Sequence, residues 1–96
     1  MPITKAQIKH LRNLAHHLKP IISIGQNGIT ENVLNELEIA LNYHELVKIK
    51  LGAGDRDERQ LMIKQLGTET GAELVQAIGK TMTLFRRNPE RPKIQL

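Results

Sequence analysis

The sequence predicts a small α/β protein, a two-layer sandwich of helices on a four-stranded mixed sheet. Apolar residues recur at three- and four-residue spacing in three segments, which is typical of amphipathic helices. Four other segments are short, β-branched or alternating, which is typical of strands. The order is helix, strand, helix, strand, helix, strand, strand. Strands separated by helices favour parallel neighbours, whereas the last two strands are close enough to form an antiparallel hairpin.

The first helix is predicted over residues 4–18. Thr4 is a suitable N-cap, and Gln7 three positions later completes a capping-box pattern. The apolar stripe of this helix consists of Ile8, Leu11, Leu14, Ala15 and Leu18. Pro20 ends the helix, and residues 21–24, bounded by proline and glycine, predict a buried strand.

A second helix is predicted from its cap, Thr30, to about residue 43. Its inward-facing residues are Val33, Leu34, Leu37, Ala40 and Leu41. Residues 44–51 then predict a strand, because apolar and polar side chains alternate along its second half. One face of this strand is therefore expected to be covered, with Lys48 and Lys50 on the other.

A third helix is predicted from Asp55, which forms a second capping-box pattern with Glu58, to a stop at Gly71. Its core residues are expected to be Leu61, Met62 and Leu66. Residues 73–78 and 81–87 predict two strands joined by a two-residue hairpin turn. The remaining residues, 88–96, contain two prolines and are expected to form a tail.

Composition excludes several classes of protein. Ninety-six residues suffice for a single domain. The absence of cysteine excludes disulfides, thiolate metal sites and a cysteine nucleophile. No apolar run approaches the roughly 20 residues of a membrane-spanning helix, and no secretory signal is recognisable. We therefore expect a cytoplasmic protein that has no contact with a membrane. We also expect a monomer, although composition does not determine the oligomeric state.

The net charge of +4 is divided unevenly along the chain. Residues 1–30 carry +4, residues 31–79 carry −4, and residues 80–96 carry +4. Both ends are thus cationic, which is compatible with a polyanionic partner and also with a charge that serves solubility alone. On the first helix, one exposed stripe holds Lys5, Lys9, Arg12 and His16, and Lys19 follows just beyond it.

The strongest local motif is Gly25-Gln26-Asn27-Gly28, which lies between a strand and a helix N-terminus. The first amides of a helix lack internal partners and carry the positive end of its dipole, so this position suits a phosphate. Some RNA-binding modules clamp nucleic-acid backbone with a Gly-x-x-Gly loop. We expect the loop and the cationic stripe to be neighbours, with Arg86 and Arg87 extending the surface.

No enzyme active site is recognisable. Gly52-Ala53-Gly54 lacks the third glycine of a dinucleotide fingerprint, and acidic residues follow it directly. The four histidines are not spaced to share a metal ion, and the single serine lies in a predicted strand. We therefore expect no metal, no cofactor and no small-molecule substrate. Because only Tyr43 and Phe85 are aromatic, we expect recognition of backbone and shape, with little stacking of bases.

Four segments together resemble the CRM domain, in particular the bacterial members that consist of this domain alone. They are residues 16–20, 24–30, 44–48 and 70–79. The resemblance implies a fold similar to the C-terminal domain of translation initiation factor three, and RNA binding on the precursor of the large ribosomal subunit. It maps the binding loop onto residues 25–28 and the domain onto residues 1–87, followed by a basic C-terminal tail over 88–96. One departure is the second arginine in Phe85-Arg86-Arg87-Asn88-Pro89.

Two alternatives to RNA binding remain open from the sequence. One is an adaptor that docks on a ribosomal protein without touching RNA, its charge matching an acidic partner. The other is a small RNA-processing enzyme, which the absence of a catalytic constellation disfavours.

Overall fold

The computed structural model describes residues 3–96 and confirms the predicted α/β class and order of elements. The three helices are α1 (Lys5–Ala15), α2 (Glu31–His44) and α3 (Arg56–Thr70). The four strands are β1 (Ile22–Ile24), β2 (Leu46–Leu51), β3 (Glu73–Ile78) and β4 (Thr81–Phe85). Met1 and Pro2, with which the predicted domain begins, lie outside the described residues. None of the helices within residues 3–96 has the length and apolar content needed to cross a membrane.

Helix α1 begins where the sequence predicts and ends three residues earlier. The Thr4 hydroxyl accepts a hydrogen bond from the Gln7 amide at 3.1 Å, and the Gln7 side chain accepts one from the Thr4 amide at 2.9 Å. At the other end, the amides of His17 and Leu18 donate to carbonyls three residues back. This tighter last turn rotates Leu18 off the apolar stripe, so that it is 38% exposed.

Helix α3 runs from the predicted cap to the predicted stop. Asp55 and Glu58 form the expected reciprocal capping box, and Gly71 closes the helix in the left-handed conformation, with φ of 69°. One prediction for this helix is wrong: Leu61, expected in the core, is 69% exposed. Leu66 is buried and Met62 packs against the core, as predicted, and Ile63 takes the place expected for Leu61, because the buried face of α3 is centred on these three residues.

The sheet is mixed, as predicted, with the strand order β1-β2-β4-β3. β1 and β2 are parallel neighbours, whereas β4 is antiparallel to both β2 and β3. The expectation that helix-separated strands are neighbours therefore holds for β1 and β2 and is wrong for β2 and β3. β4 lies between them because four of its five residues are buried, while most of β3 is exposed and suits an edge.

The core consists of two clusters on opposite faces of the sheet. Successive side chains of a strand point to opposite faces, and Leu46 and Val47 accordingly belong to different clusters. The α2/α3-side cluster contains residues of both those helices together with Val47, Ile49 and Leu84. The α1-side cluster comprises Leu11, Ala15, Leu46, Val75 and Phe85. α2 and α3 cover one face of the sheet, as in the predicted two-layer sandwich. α1 packs on the other face, which the two-layer prediction did not include.

Residues 88–96 form no helix or strand, but three of their backbone amides are hydrogen-bonded to one buried side chain of the domain. Glu45, which directly follows α2, has no exposed surface. Its carboxylate accepts hydrogen bonds from the amides of Asn88 and Lys93, both at 2.7 Å, and of Ile94 at 2.8 Å. Ile94 packs against the α1-side cluster. The C-terminal segment therefore has a defined position on the domain.

Candidate nucleic-acid interface

Residues 25–28 form a tight turn at the carboxyl end of β1. The Gly28 amide donates to the Gly25 carbonyl at 3.0 Å, and Gly28 has φ of 69°, in the left-handed region that favours glycine. A Cβ atom at Gly25 would meet nothing within 4 Å. Gln26 and Asn27 are exposed at the tip. The turn therefore offers two neutral polar side chains and an open backbone to an approaching ligand.

The N-terminus of α2 follows the turn directly. The Thr30 hydroxyl accepts a hydrogen bond from the Val33 amide at 3.2 Å, so this amide is occupied. The amides of Glu31 and Asn32 have no hydrogen-bond partner among residues 3–96. They carry the positive end of the helix dipole and are available to an anion. The exposed carboxylate of Glu31 opposes this attraction, so the helix end by itself is a weak anion site.

The turn lies beside the loop that joins β2 to α3. The Gly52 amide donates to the Ile24 carbonyl at 2.8 Å, and a Cβ atom at Gly52 would come within 3.2 Å of that oxygen. On the α3 side, a hollow of about 560 Å³ separates the turn from α3 and is lined in part by Glu58. This carboxylate makes the hollow unfavourable for phosphate. A nucleic-acid backbone is better accommodated on the other side of the turn.

The predicted cations of α1 are exposed along one flank. Lys5, Lys9, Arg12 and His16 are all exposed, as is Lys19 beyond the helix. Within the described part of the chain, none of them pairs with a carboxylate. The Arg12 Nε atom donates to the Val75 carbonyl of β3 at 3.2 Å, which anchors the flank beside the sheet. The other four N–H groups of that guanidinium remain available to phosphate oxygens.

Two lysines of β2 extend the cationic flank across the sheet. Lys48 and Lys50 lie on the face that α1 partly covers, and the Lys48 Nζ atom donates to the Ala15 carbonyl at the end of α1. The distance is 3.3 Å. Lys50 is exposed and pairs in register with Ser23 of β1. The alternation in residues 44–51 predicts where these lysines point, but their place in the interface follows only from the packing of α1.

The loop and the α1 flank are not immediate neighbours, contrary to expectation. α1 packs on Leu46 at the amino end of β2, whereas Gly25 emerges beside the carboxyl end of that strand. Five residue steps of a strand span roughly 16 Å. Lys48 and Lys50 lie in this interval. The two predicted parts are therefore joined by a row of lysines on the uncovered half of the sheet.

The two predicted arginines after β4 both bond to other groups of the protein, although Arg87 is exposed. The Arg86 guanidinium forms a bidentate pair with the Glu38 carboxylate, both contacts at 2.9 Å, and also donates to the Thr70 carbonyl and the Asn42 side chain. The hydrogen bond from Arg86 lowers the pKa of Glu38 and outweighs the opposing effect of burial. Arg87 donates to the Ile94 carbonyl at 2.8 Å. Arg86 thus links α2, α3 and β4.

A family description matches almost all of this structure. The model of the CRS1/YhbY (CRM) domain matches residues 3–86. This chain belongs to the CRM domain family. The match includes the loop, the α1 flank and the β2 lysines, which places the whole candidate interface within the domain.

Similar proteins from bacteria carry names that refer to RNA. A Haemophilus influenzae protein named "RNA-binding protein" is 47% identical over 94 residues, which cover 98% of this chain and 94% of that protein. A Pseudomonas aeruginosa protein named "Probable RNA-binding protein" is 44% identical over 93 residues, covering 97% and 89%. The solution structure of a Staphylococcus aureus protein, described there as a candidate for RNA binding, superposes with a TM-score of 0.84. It is 34% identical, and 99% of each chain is covered.

Proposed function

We propose that this CRM domain is a non-enzymatic RNA-binding module that recognises RNA chiefly through its backbone. The observation that carries the proposal is a row of cations that have no carboxylate partner within the described residues. All of them are exposed except Lys48, which is half-buried and bonded to the Ala15 carbonyl. The row runs from the flank of α1 through Lys48 and Lys50 to the turn at residues 25–28. A stripe of this kind is the electrostatic footprint of a nucleic-acid backbone. The names of the relatives point to the same partner.

In this proposal the parts of the interface have different tasks. Lys5, Lys9, Arg12, His16 and Lys19 contact phosphates along one stretch of RNA, and the β2 lysines continue the track. At its end, Gln26 and Asn27 approach the sugar–phosphate backbone, which the glycines allow to come close. Phe85 is buried in the α1-side cluster, so this surface has no aromatic platform for bases. Its recognition therefore depends on shape and charge.

The proposal extends to the biological setting of the protein. We propose that the protein acts as a monomer in the cytoplasm and binds ribosomal RNA in the precursor of the large subunit, where it assists assembly. Residues 1–87 would form the binding domain. Arg86 supports this domain through its pair with Glu38, and the exposed Arg87 bonds to the Ile94 carbonyl.

The turn is tested by adding negative charge at its tip. Replacing Gln26→Asp together with Asn27→Asp is expected to weaken binding of a structured ribosomal RNA fragment at least tenfold, because two carboxylates would face phosphates. Since both side chains are exposed, the melting temperature should stay within about 2 °C of the parent's. Binding is measured by fluorescence anisotropy with protein-free RNA at low salt.

A matched control makes the same chemical changes elsewhere. Asn35→Asp together with Gln60→Asp adds the same charge at exposed positions of α2 and α3, away from the α1 side of the sheet. This control should weaken binding less than threefold. Equal losses in both double variants would mean that only net charge matters and that the turn is not a contact. Binding of protein-free RNA that does not respond to salt would instead favour an adaptor.

The α1 flank is tested through the salt dependence of binding. Replacing Arg12→Glu should flatten the slope of log affinity against log salt by ~0.7–0.9, the contribution of one phosphate contact. The slope is measured between 50 and 200 mM salt, together with the melting temperature, because Arg12 also bonds to β3. An unchanged slope would remove Arg12 from the interface.

A further inference from the structure

Tyr43 is the one aromatic side chain that the fold leaves at the surface. Of the two aromatic residues in the chain, Phe85 is 2% exposed and Tyr43 is 63% exposed. Tyr43 lies near the carboxyl end of α2, one helical turn after Ile39, which is 70% exposed. The α1 side of the sheet therefore exposes no Phe, Trp or Tyr ring, whereas this end of α2 exposes one.

The C-terminal segment forms an open groove of about 740 Å³ against this end of α2. Its walls include Ile39 and Tyr43 on the helix, and Glu90, Arg91 and Lys93 on the segment. The Lys93 Nζ atom lies 4.0 Å from the centre of the Tyr43 ring. Arg91 is exposed and has no carboxylate partner within residues 3–96. The groove thus combines an exposed ring with two cations, which outnumber its one carboxylate, Glu90. Proteins that bind single-stranded nucleic acid commonly combine aromatic rings with cations in this way.

The buried Glu45 carboxylate keeps this groove in place before any ligand arrives. It accepts the amide of Asn88 at one end of the segment and those of Lys93 and Ile94 at the other. The Asn88 side chain also donates to the Asn42 carbonyl of α2 at 2.9 Å. A segment that is already ordered loses little conformational entropy when it binds.

We propose that the groove between α2 and the C-terminal segment is a second RNA site, which takes an unpaired nucleotide. The base stacks on the Tyr43 ring in place of the Lys93 ammonium group, and Arg91 and Lys93 hold the adjoining phosphate. Ile39 provides an apolar flank for the sugar and base. This proposal rests on the proposed function only in taking RNA as the ligand. The groove itself is separate from the interface on the α1 side of the sheet.

The second site is separated from the first by the body of the domain. α2 covers the face of the sheet opposite α1. From Thr30 to Tyr43 the helix rises by roughly 20 Å. The turn at residues 25–28 lies at the amino end of α2 and Tyr43 near the carboxyl end. A dinucleotide bound at Tyr43 is too short to reach the turn, so the two sites can be tested independently.

The test uses a 5′-phosphorylated adenosine dinucleotide and the proton spectrum of the ring. The chain has one tyrosine, so the Tyr43 ring signals are unambiguous. We expect them to shift upfield and to saturate, as stacking on a base requires. Tyr43→Leu should weaken binding about fivefold or more, as judged from the amide signals of Asn88, Glu90, Arg91 and Lys93, whereas Tyr43→Phe should bind like the parent. Replacing Arg91→Glu together with Lys93→Glu should also weaken binding, because it removes both cations. The Lys93 backbone amide, which donates to Glu45, is unchanged, so the segment should keep its position.

Four results would overturn the proposal. They are the absence of a ring shift with the dinucleotide, equal binding by Tyr43→Leu, an equal shift with inorganic phosphate alone, and a shift produced only by an acidic peptide, which would make the groove a protein-binding surface. The loop variant Gln26→Asp with Asn27→Asp separates the two sites. It should lose structured RNA and keep the dinucleotide shift, so that failure of one site leaves the result for the other intact.

Discussion

Replacing Glu45→Gln should destabilise the protein strongly, although the two side chains have nearly the same shape. Glu45 has φ of 64° and ψ of −44°, a conformation that is strained for any residue other than glycine. The substitution leaves this backbone strain unchanged. What it removes is the negative charge and one of the two acceptor oxygens that hold the C-terminal segment.

The expected loss follows from the hydrogen bonds. One carboxylate oxygen accepts two amides and the other accepts one. A glutamine can replace one oxygen only, so its NH₂ group must face at least one amide that is then left without an acceptor. An unsatisfied buried donor costs about 1–3 kcal/mol, and the remaining bonds lose their charge assistance. We expect the free energy of unfolding to fall by about 2–4 kcal/mol.

The assay is urea unfolding followed by circular dichroism, in which the midpoint should fall by roughly 1–2 M. The control is Glu36→Gln, which makes the same change of charge at an exposed position of α2 and should stay within about 0.5 kcal/mol of the parent. A Glu45→Gln variant as stable as this control would refute the argument, because the three amides would then have contributed nothing.

The effect of Glu45 should depend on pH. Burial by itself raises the pKa of Glu45, but the amides of Asn88, Ile94 and Lys93 and the charge on Arg87 outweigh it and hold the pKa below its usual value of 4.5. Because the pKa is lower in the folded state, the stabilisation is present above about pH 4.5 and is lost as pH falls further. The difference between parent and Glu45→Gln should therefore shrink in acid. A difference that stays constant down to pH 3 would contradict this.

Three further substitutions test other parts of the structure. Gly28→Ala should cost about 1–2 kcal/mol in urea unfolding, because its φ of 69° is strained for alanine, while Gly25→Ala, without a positive φ, should cost less. Arg86→Gln should lower the free energy of unfolding by about 1–3 kcal/mol but leave the salt slope of RNA binding unchanged. A flatter slope would indicate that Arg86 contacts RNA. Lys50→Glu should weaken RNA binding and flatten the slope, whereas Lys64→Glu, exposed on α3, should do neither.

Features that depend on neighbours in the chain were predictable from the sequence. Thr4 with Gln7, and Asp55 with Glu58, form their capping boxes over three residues, so the pattern of letters is sufficient to place the starts of α1 and α3. The turn at residues 25–28 was predictable for the same reason.

The choice among long-range partners was decided by the tertiary structure. From the sequence, Arg86 is predicted to be a surface cation. In the structure it bonds at 2.9 Å to Glu38 of α2, which is 48 residues away in sequence. In the same way, residues 88–96 are predicted to be a tail, because nothing near them in the sequence indicates that their amides will bond to the buried Glu45.

The strand order has a similar origin. The sequence by itself determined four strands, three helices and a cationic flank, because each follows from periodicity and local hydrogen bonding. Only the tertiary structure decided that β4 enters between β2 and β3, and that α1 lies on the opposite face from α2. Such choices depend on which surfaces bury one another, and burial is a property of the packed chain rather than of any segment. The row of lysines that joins α1 to the turn is a consequence of that packing.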